Sequence, residues 1–333
     1  MISERDFISN IREQIIPDNK LLVKGIGDDC AVYRIDSADS SRLGLISVDS
    51  LVEGVHFDLS WHPPTLLGKK AAAVNISDIA AMGGQPTFLL LSIAVPAKCN
   101  ESFLEAFVHG FLAQAKAFGA ILIGGDTVKS GSDMSVSVTV LGEVSEDCIL
   151  YRSGAKVGDL VWVSGTLGDA AGGLMICSGA GEHDVLAWPS LIKAHLDPTP
   201  EVALGLILSG SGLVTAMIDM SDGLGTDLAH ICEESSCGAV IDAGCIPVSD
   251  ALKSAAAAYD VSCLDLAVSG GEDYRLLFTS PASAKEELCG KVRSGCGMTI
   301  YCIGEIVAEQ GVSLKSASFD KKVGFTGFDH FRN

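Results

Sequence analysis

The chain has 333 residues, 48% of them hydrophobic and 20% charged, an ordinary globular balance that allows one large or two medium domains with a sizeable core. Its formal net charge of −19 argues against nucleic acid and anionic membrane surfaces as partners. The same charge repels free nucleotides, so a phosphate-bearing substrate would need cations as intermediaries.

The N-terminal MISERDFISNIREQ is charged from residue 4 onward and lacks an apolar core, so it does not read as a signal peptide. Ser3 is expected to cap a first helix, with Asp6 as its capping-box acid. Short β-type runs follow at 31–35 and 44–48, then a small-residue helix over 66–82 capped by Thr65. FLLLSIAV at 88–95, bounded by Pro86 and Pro96, predicts a buried strand. Phe103, Leu104, Phe107, Phe111 and Leu112 stand at helical spacing and predict a helix near 101–118. Strands are expected at 120–123 and 134–144.

A polar, turn-rich hinge over 146–158 divides the chain into two domains of similar size, 1–148 and 149–333. The second half alternates a strand at 160–163, a strand at 214–219, a helix at 223–234, a strand at 239–242, a strand at 275–279 and a helix at 282–293. The longest uncharged stretch, Val202 to Ile218, is broken by Ser-Gly-Ser-Gly, which predicts helix, turn and strand rather than a membrane span. Alternation of this kind argues for an α/β (α+β) fold. The 37 glycines are spread along the chain and mark tight turns. Eleven cysteines without a C-x-x-C, the closest pair being Cys232 and Cys237, fit reduced thiols in a cytoplasmic protein.

The chemistry lies in acidic residues beside glycine at strand ends. They are Asp28 and Asp29 in GIGDDCAV, Asp49 in SVDSLVEGVHF, Asp78 in NISDIAAMGG, Asp126 in IGGDT, Asp219 and Asp222 in IDMSDG, and Glu272 and Asp273 in SGGEDY. Clustered carboxylates need cations, and few Lys or Arg lie nearby in sequence. A hard divalent metal fits better, because Mg²⁺ takes oxygen ligands and binds carboxylates together with substrate phosphates. Any one Asp–Gly pair is equally an ordinary turn or cap, and Asp222 could simply cap the following helix. The metal reading rests on the set. No P-loop, no G-x-G-x-x-G and no G-x-S-x-G occurs. His56 shares a segment with Asp49, and Arg152 in YRSGAK is a candidate phosphate clamp.

Together these segments, with GTLGDAAGGL, HLDPTPE and the terminal GFDHF, resemble the thiamine-monophosphate kinase family, in the superfamily of aminoimidazole ribonucleotide synthetase and selenophosphate synthetase. The resemblance implies two α/β domains, the N-terminal one pairing two copies into a homodimer with nucleotide near the interface. It implies an ATP-dependent phosphorylation of thiamine monophosphate with several Mg²⁺ ions. By motif, Asp29, Asp49, Asp78, Asp126, Asp219 and Asp222 would hold metal, with Asp126 and Asp222 central to catalysis. Ser47, Gly125, Asp126, Arg152 and Ser221 would meet ATP. His56, Glu272 and Phe328 would meet thiamine phosphate. Where the family often has Ser-Thr-Asp, this chain has Ser47-Val48-Asp49, so no hydroxyl is available at position 48. The alternatives are an ATP-using relative with another acceptor, or a non-catalytic nucleotide or metal sensor.

Overall fold

In the computed structural model, residues 5, 8, 12, 19–35, 41–179 and 186–328 are described. The helix start expected at Ser3 and the last residues of GFDHF lie outside them.

The first domain is a six-stranded sheet, in the order β1-β2-β3-β6-β4-β5, with two helices on one face. Its strands are β1 (Leu22–Lys24), β2 (Ala31–Arg34), β3 (Arg42–Val52), β4 (Gln85–Val95), β5 (Ile121–Lys129) and β6 (Ser135–Ser145). Helix α1 (Pro64–Ala81) follows β3, and α2 (Glu101–Ala117) joins the parallel pair β4 and β5. Helix α1 starts two residues earlier than expected: Pro63 occupies the cap position without a side-chain hydrogen bond, so Thr65 is not the cap. Asn100 caps α2 by accepting from the Phe103 N–H at 2.9 Å.

Small residues set how closely the two helices approach. A Cβ at Gly68 would stand 1.9 Å from the Phe107 carbonyl oxygen, and one at Gly110 would stand 1.9 Å from that of Thr65. The core between helices and sheet takes one side of each strand, with Leu43 and Leu45 of β3, Leu89 and Leu91 of β4, and Val136 to Val140 of β6 buried against Phe107 and Phe111. FLLLSIAV is therefore half-buried rather than buried, because Phe88 and Leu90 face outward from a sheet side that, among the described residues, no helix covers.

The second domain is a seven-stranded sheet in the order β13-β12-β9-β11-β7-β10-β8. Its strands are β7 (Asp159–Val163), β8 (Ala216–Asp219), β9 (Gly238–Asp242), β10 (Leu276–Pro281), β11 (Tyr301–Val307), β12 (Gly311–Lys315) and β13 (Asp320–Lys322). Its helices are α3 (Asp169–Gly179), α4 (Pro189–Leu196), α5 (Val202–Ser211), α6 (Leu224–Glu234), α7 (Asp250–Ala258), α8 (Cys263–Ser269) and α9 (Lys285–Cys296). The uncharged stretch resolves as α5, a left-handed Gly212 and β8. Helix α1 also belongs to this half. Its last turn enters the second core, where Ala81 is buried with Trp162 and Leu204, and a Cβ at Gly205 of α5 would meet the Ala80 carbonyl at 2.3 Å. One helix thus packs into both domains and carries Asn75, Ser77 and Asp78 to their junction.

Candidate active site

Three carboxylates meet at that junction. Asp29 comes from the loop between β1 and β2, Asp78 from α1, and Asp219 from the last residue of β8. One oxygen of each lies within 4.8 Å of the other two. Arg152, from the connection between the domains, donates from Nη2 (2.6 Å) and Nε (3.2 Å) to Oδ1 of Asp29, while its backbone N–H donates to Asp28. Asp29 Oδ2 is buried with no hydrogen-bond partner.

Their electrostatics follow from that crowding. Burial pushes Asp29 up to about 6, against the pull of the Arg152 charge. Burial, then Asp29, pushes Asp219 up to about 8, with the Ser77 hydroxyl opposing. Burial, then Asp49 and Asp219, holds Asp78 well above the carboxylate range, with the Ser47 hydroxyl opposing. Burial also raises Asp49, whose backbone N–H is anchored on the Asn75 side chain at 3.0 Å. An all-oxygen set of this kind, with an orphaned carboxylate oxygen, suits a hard divalent cation.

Above the carboxylates opens a cavity of about 1410 Å³. Asp29, Ser47, Asp49, His56, Arg152, Ser221, Asp222, Glu272 and Phe328 all line it, while Asp78 and Asp219 lie beneath its wall. Asp222 does not cap α6: Gly223 holds the cap position, and its N–H is taken by Asp227 Oδ2 at 3.0 Å. The Asp222 carbonyl accepts from the Phe328 N–H at 3.3 Å, which ties the C-terminal segment to the wall. His56 Nδ1 accepts from the Val52 N–H at 3.1 Å, so a neutral ring keeps its proton on Nε2.

Gly125 and Asp126 are not brought to this cluster within one chain. The register Ser50–Ser137–Ser92–Asp126 runs straight across β3, β6, β4 and β5, so Asp126 shares the outward face of the sheet. Ser47 and Asp49 occupy the alternate positions of β3, on the side of α1. Gly125 is required by packing as well, since a Cβ there would stand 1.8 Å from the Leu91 carbonyl oxygen. Asp273, counted with the acidic set from sequence, accepts from the Gly168 and Ala170 N–H groups at 2.6 and 3.1 Å and so caps α3.

Sequence reasoning passed over Lys70, His195, Asp227 and Tyr274. Tyr274 lines the cavity in a left-handed backbone conformation (φ 47°), and Lys70 and His195 are buried behind Glu272. A buried Lys70 carries no local signal, because LLGKKA reads as one solvated helical turn.

Comparison with known proteins shows the family. Residues 27–144 match the N-terminal domain, and residues 156–316 the C-terminal domain, of AIR synthase related proteins. The chain is 36% identical to the thiamine-monophosphate kinase of Haemophilus influenzae, over 99% of this chain and 98% of the relative. It is 39% identical to that of Escherichia coli strain K12, over 92% and 91%. The fold is similar to a structure of AaThiL complexed with AMPPCP and TMP, with a TM-score of 0.85 and 32% identity, covering 99% of this chain and 97% of that one.

Proposed function

The chain belongs to the AIR synthase related protein family and, within it, to the thiamine-monophosphate kinases, and from that premise we propose that its acidic cavity phosphorylates thiamine monophosphate to thiamine diphosphate with ATP. The observation that carries the reading is the convergence of Asp29, Asp78 and Asp219 within 4.8 Å beneath a cavity large enough for both reactants.

The acceptor is a phosphate monoester whose second pKa is about 6, so its attacking oxygen is already anionic near pH 7 and no strong general base is needed. The difficulty is holding two anions in line. Asp29, Asp49, Asp78, Asp219 and Asp222 would hold Mg²⁺, which when bound supplies neutralisation of the phosphate charges. Arg152 keeps Nη1 available for a phosphate oxygen while Nε and Nη2 grip Asp29. The Ser47 hydroxyl orients Asp78. On the acceptor side, His56 Nε2, the Glu272 carboxylate and the Phe328 ring line one cavity, suited to a hydrogen-bonding, cationic, aromatic substrate. Transfer is direct, without a phospho-enzyme.

The working unit is a homodimer on this reading. The outward sheet face exposes Val48 (61%), Ile121 (61%) and Ile123 (55%) together with Phe88 and Leu90. A contiguous apolar face of this kind marks an interface between proteins. Asp126 lies on this outward face with Gly125 beside it in β5, so they would act at the nucleotide site of the partner copy. With a division at 148/149, the interface would fall in the first domain and Arg152 at the start of the second. All eleven cysteines are free thiols, which fits a cytoplasmic location, and among the described residues no helix is long and apolar enough to cross a membrane.

The test is to incubate the protein with Mg²⁺-ATP and a panel of phosphorylated acceptors. Thiamine diphosphate should form. Preference for another acceptor, or ATP binding without ADP release in the presence of thiamine monophosphate, would overturn the assignment.

A further inference from the structure

Glu272 sits in a left-handed backbone conformation (φ 67°), with its N–H bonded to the Ser221 carbonyl at 2.8 Å. A non-glycine residue there is strained by about 1–2 kcal/mol, so the surroundings must over-determine its position. Two buried side chains do so. Lys70 of α1 is fully buried, with Nζ 2.9 Å from Glu272 Oε1 and 3.4 Å from the carbonyl oxygen of His56. His195 of α4, 1% exposed, places Nδ1 3.0 Å from Glu272 Oε2. The two Glu272 oxygens are thus held from opposite sides by elements of different domains. The carboxylate keeps one-fifth of its surface toward the cavity. Burial works against its charge, but the Lys70 charge and the His195 ring 3.0 Å away bring it down to about 2. His195 stays neutral, because burial and Lys70 both lower it. The His195 ring is braced by Trp61, with centroids 5.6 Å apart.

We propose that Lys70 and His195 are positioning residues for the acceptor: they hold the Glu272 carboxylate in one place, and Lys70 ties it to the His56 segment, so that the two acceptor-side contacts form as a unit. Oε1 is buried against Lys70, and Oε2 is the oxygen left for an N–H donor or the cationic ring of the substrate. This inference rests on the thiamine monophosphate assignment, and it assigns the clamp to that substrate rather than to ATP.

The experiment is steady-state kinetics of the full chain with each substrate varied in turn. His195→Leu should raise KM for thiamine monophosphate ~10-fold and leave KM for ATP within ~2-fold. His195→Gln, whose amide can still donate, should recover most of the loss. Lys70→Met leaves a buried carboxylate without its cation and can fail to fold. The double variant Lys70→Met/Glu272→Gln removes the orphaned charge, and should melt near wild type while keeping the raised acceptor KM. Equal effects on both KM values, or wild-type KM for thiamine monophosphate in His195→Leu, overturn the clamp. If the wild type binds thiamine monophosphate without turning it over, the kinase assignment fails alone, and the ratio of wild-type to His195→Leu affinity, measured calorimetrically, decides the clamp. If the wild type does not bind it at all, both fail.

Discussion

Asp78, on a helix of the first domain, and Asp219, at the end of a strand of the second, present carboxylate oxygens within 4.8 Å of each other. Two buried anions at that separation repel, and each is pushed above the ordinary carboxylate range by burial and then by its acidic neighbours. The domain junction is therefore under electrostatic load until a cation or a proton relieves it.

Neutralising one member should separate stability from activity. A carboxyl whose folded pKa is raised loses stabilisation as pH climbs through and above its unfolded value, so Asp78→Asn removes a penalty at pH 7.5. Without divalent ions its melting temperature should exceed wild type by about 2–6 °C, from ~1–2 kcal/mol. Turnover should fall by orders of magnitude, and Mg²⁺ should no longer raise the melting temperature. A variant less stable than wild type in chelator would contradict the repulsion.

The position of Asp126 predicts complementation between subunits. Asp126→Asn and Asp222→Asn, each inactive alone, should regain up to about a quarter of wild-type activity when co-expressed, because half of the sites in mixed dimers carry both native residues. No recovery would place Asp126 in its own chain's site. Ile123→Glu should yield monomers in sedimentation and lose activity with them; a stable, active Ile123→Glu monomer would remove the sheet face as the interface.

Histidine burial sets part of the acid limb of stability. Burial, then the Lys70 charge, drives His62 down to about 3. Its folded pKa lies below the unfolded value of about 6.5, so the unfolded chain takes up the proton first and stability falls as pH drops from 6.5 toward 3. Between pH 7 and 5, wild type should lose roughly 2 kcal/mol more unfolding free energy than His62→Gln, read by urea titration at each pH. Parallel pH profiles would mean that this ring is not held neutral.

Gly110→Ala tests helix spacing. An alanine gains ~1 kcal/mol of helix propensity, but its Cβ would stand 1.9 Å from the Thr65 carbonyl, and relieving such overlap costs about 1–3 kcal/mol. A lowered melting temperature is expected. An unchanged or higher one would show that α1 and α2 can part without cost.

Much of the architecture was legible in local pattern. The helices at α1 and α2, the strands β3, β4 and β8, and the helix–turn–strand over 202–219 follow from apolar spacing and glycine punctuation. The last strands, β11 to β13, lie beyond the final predicted helix, and β12 forms a parallel pair with β9, a partnership between distant segments. In the candidate site, acidic residues at apolar strand ends could be picked out one motif at a time, since strand, turn and carboxylate are neighbours along the chain.

What the sequence determined by itself was therefore which backbone segments end in carboxylates, because that depends on short-range conformation. Tertiary structure alone decided which carboxylates meet. Side-chain alternation sent Asp126 to the opposite sheet face from Asp49, the Gly223 N–H went to Asp227 rather than Asp222, and Asp273 was taken by the N-terminus of α3. Lys70 became a buried partner of Glu272 for the same reason: charges pair by distance in space, and that distance exists only after α1 has been packed between the two domains.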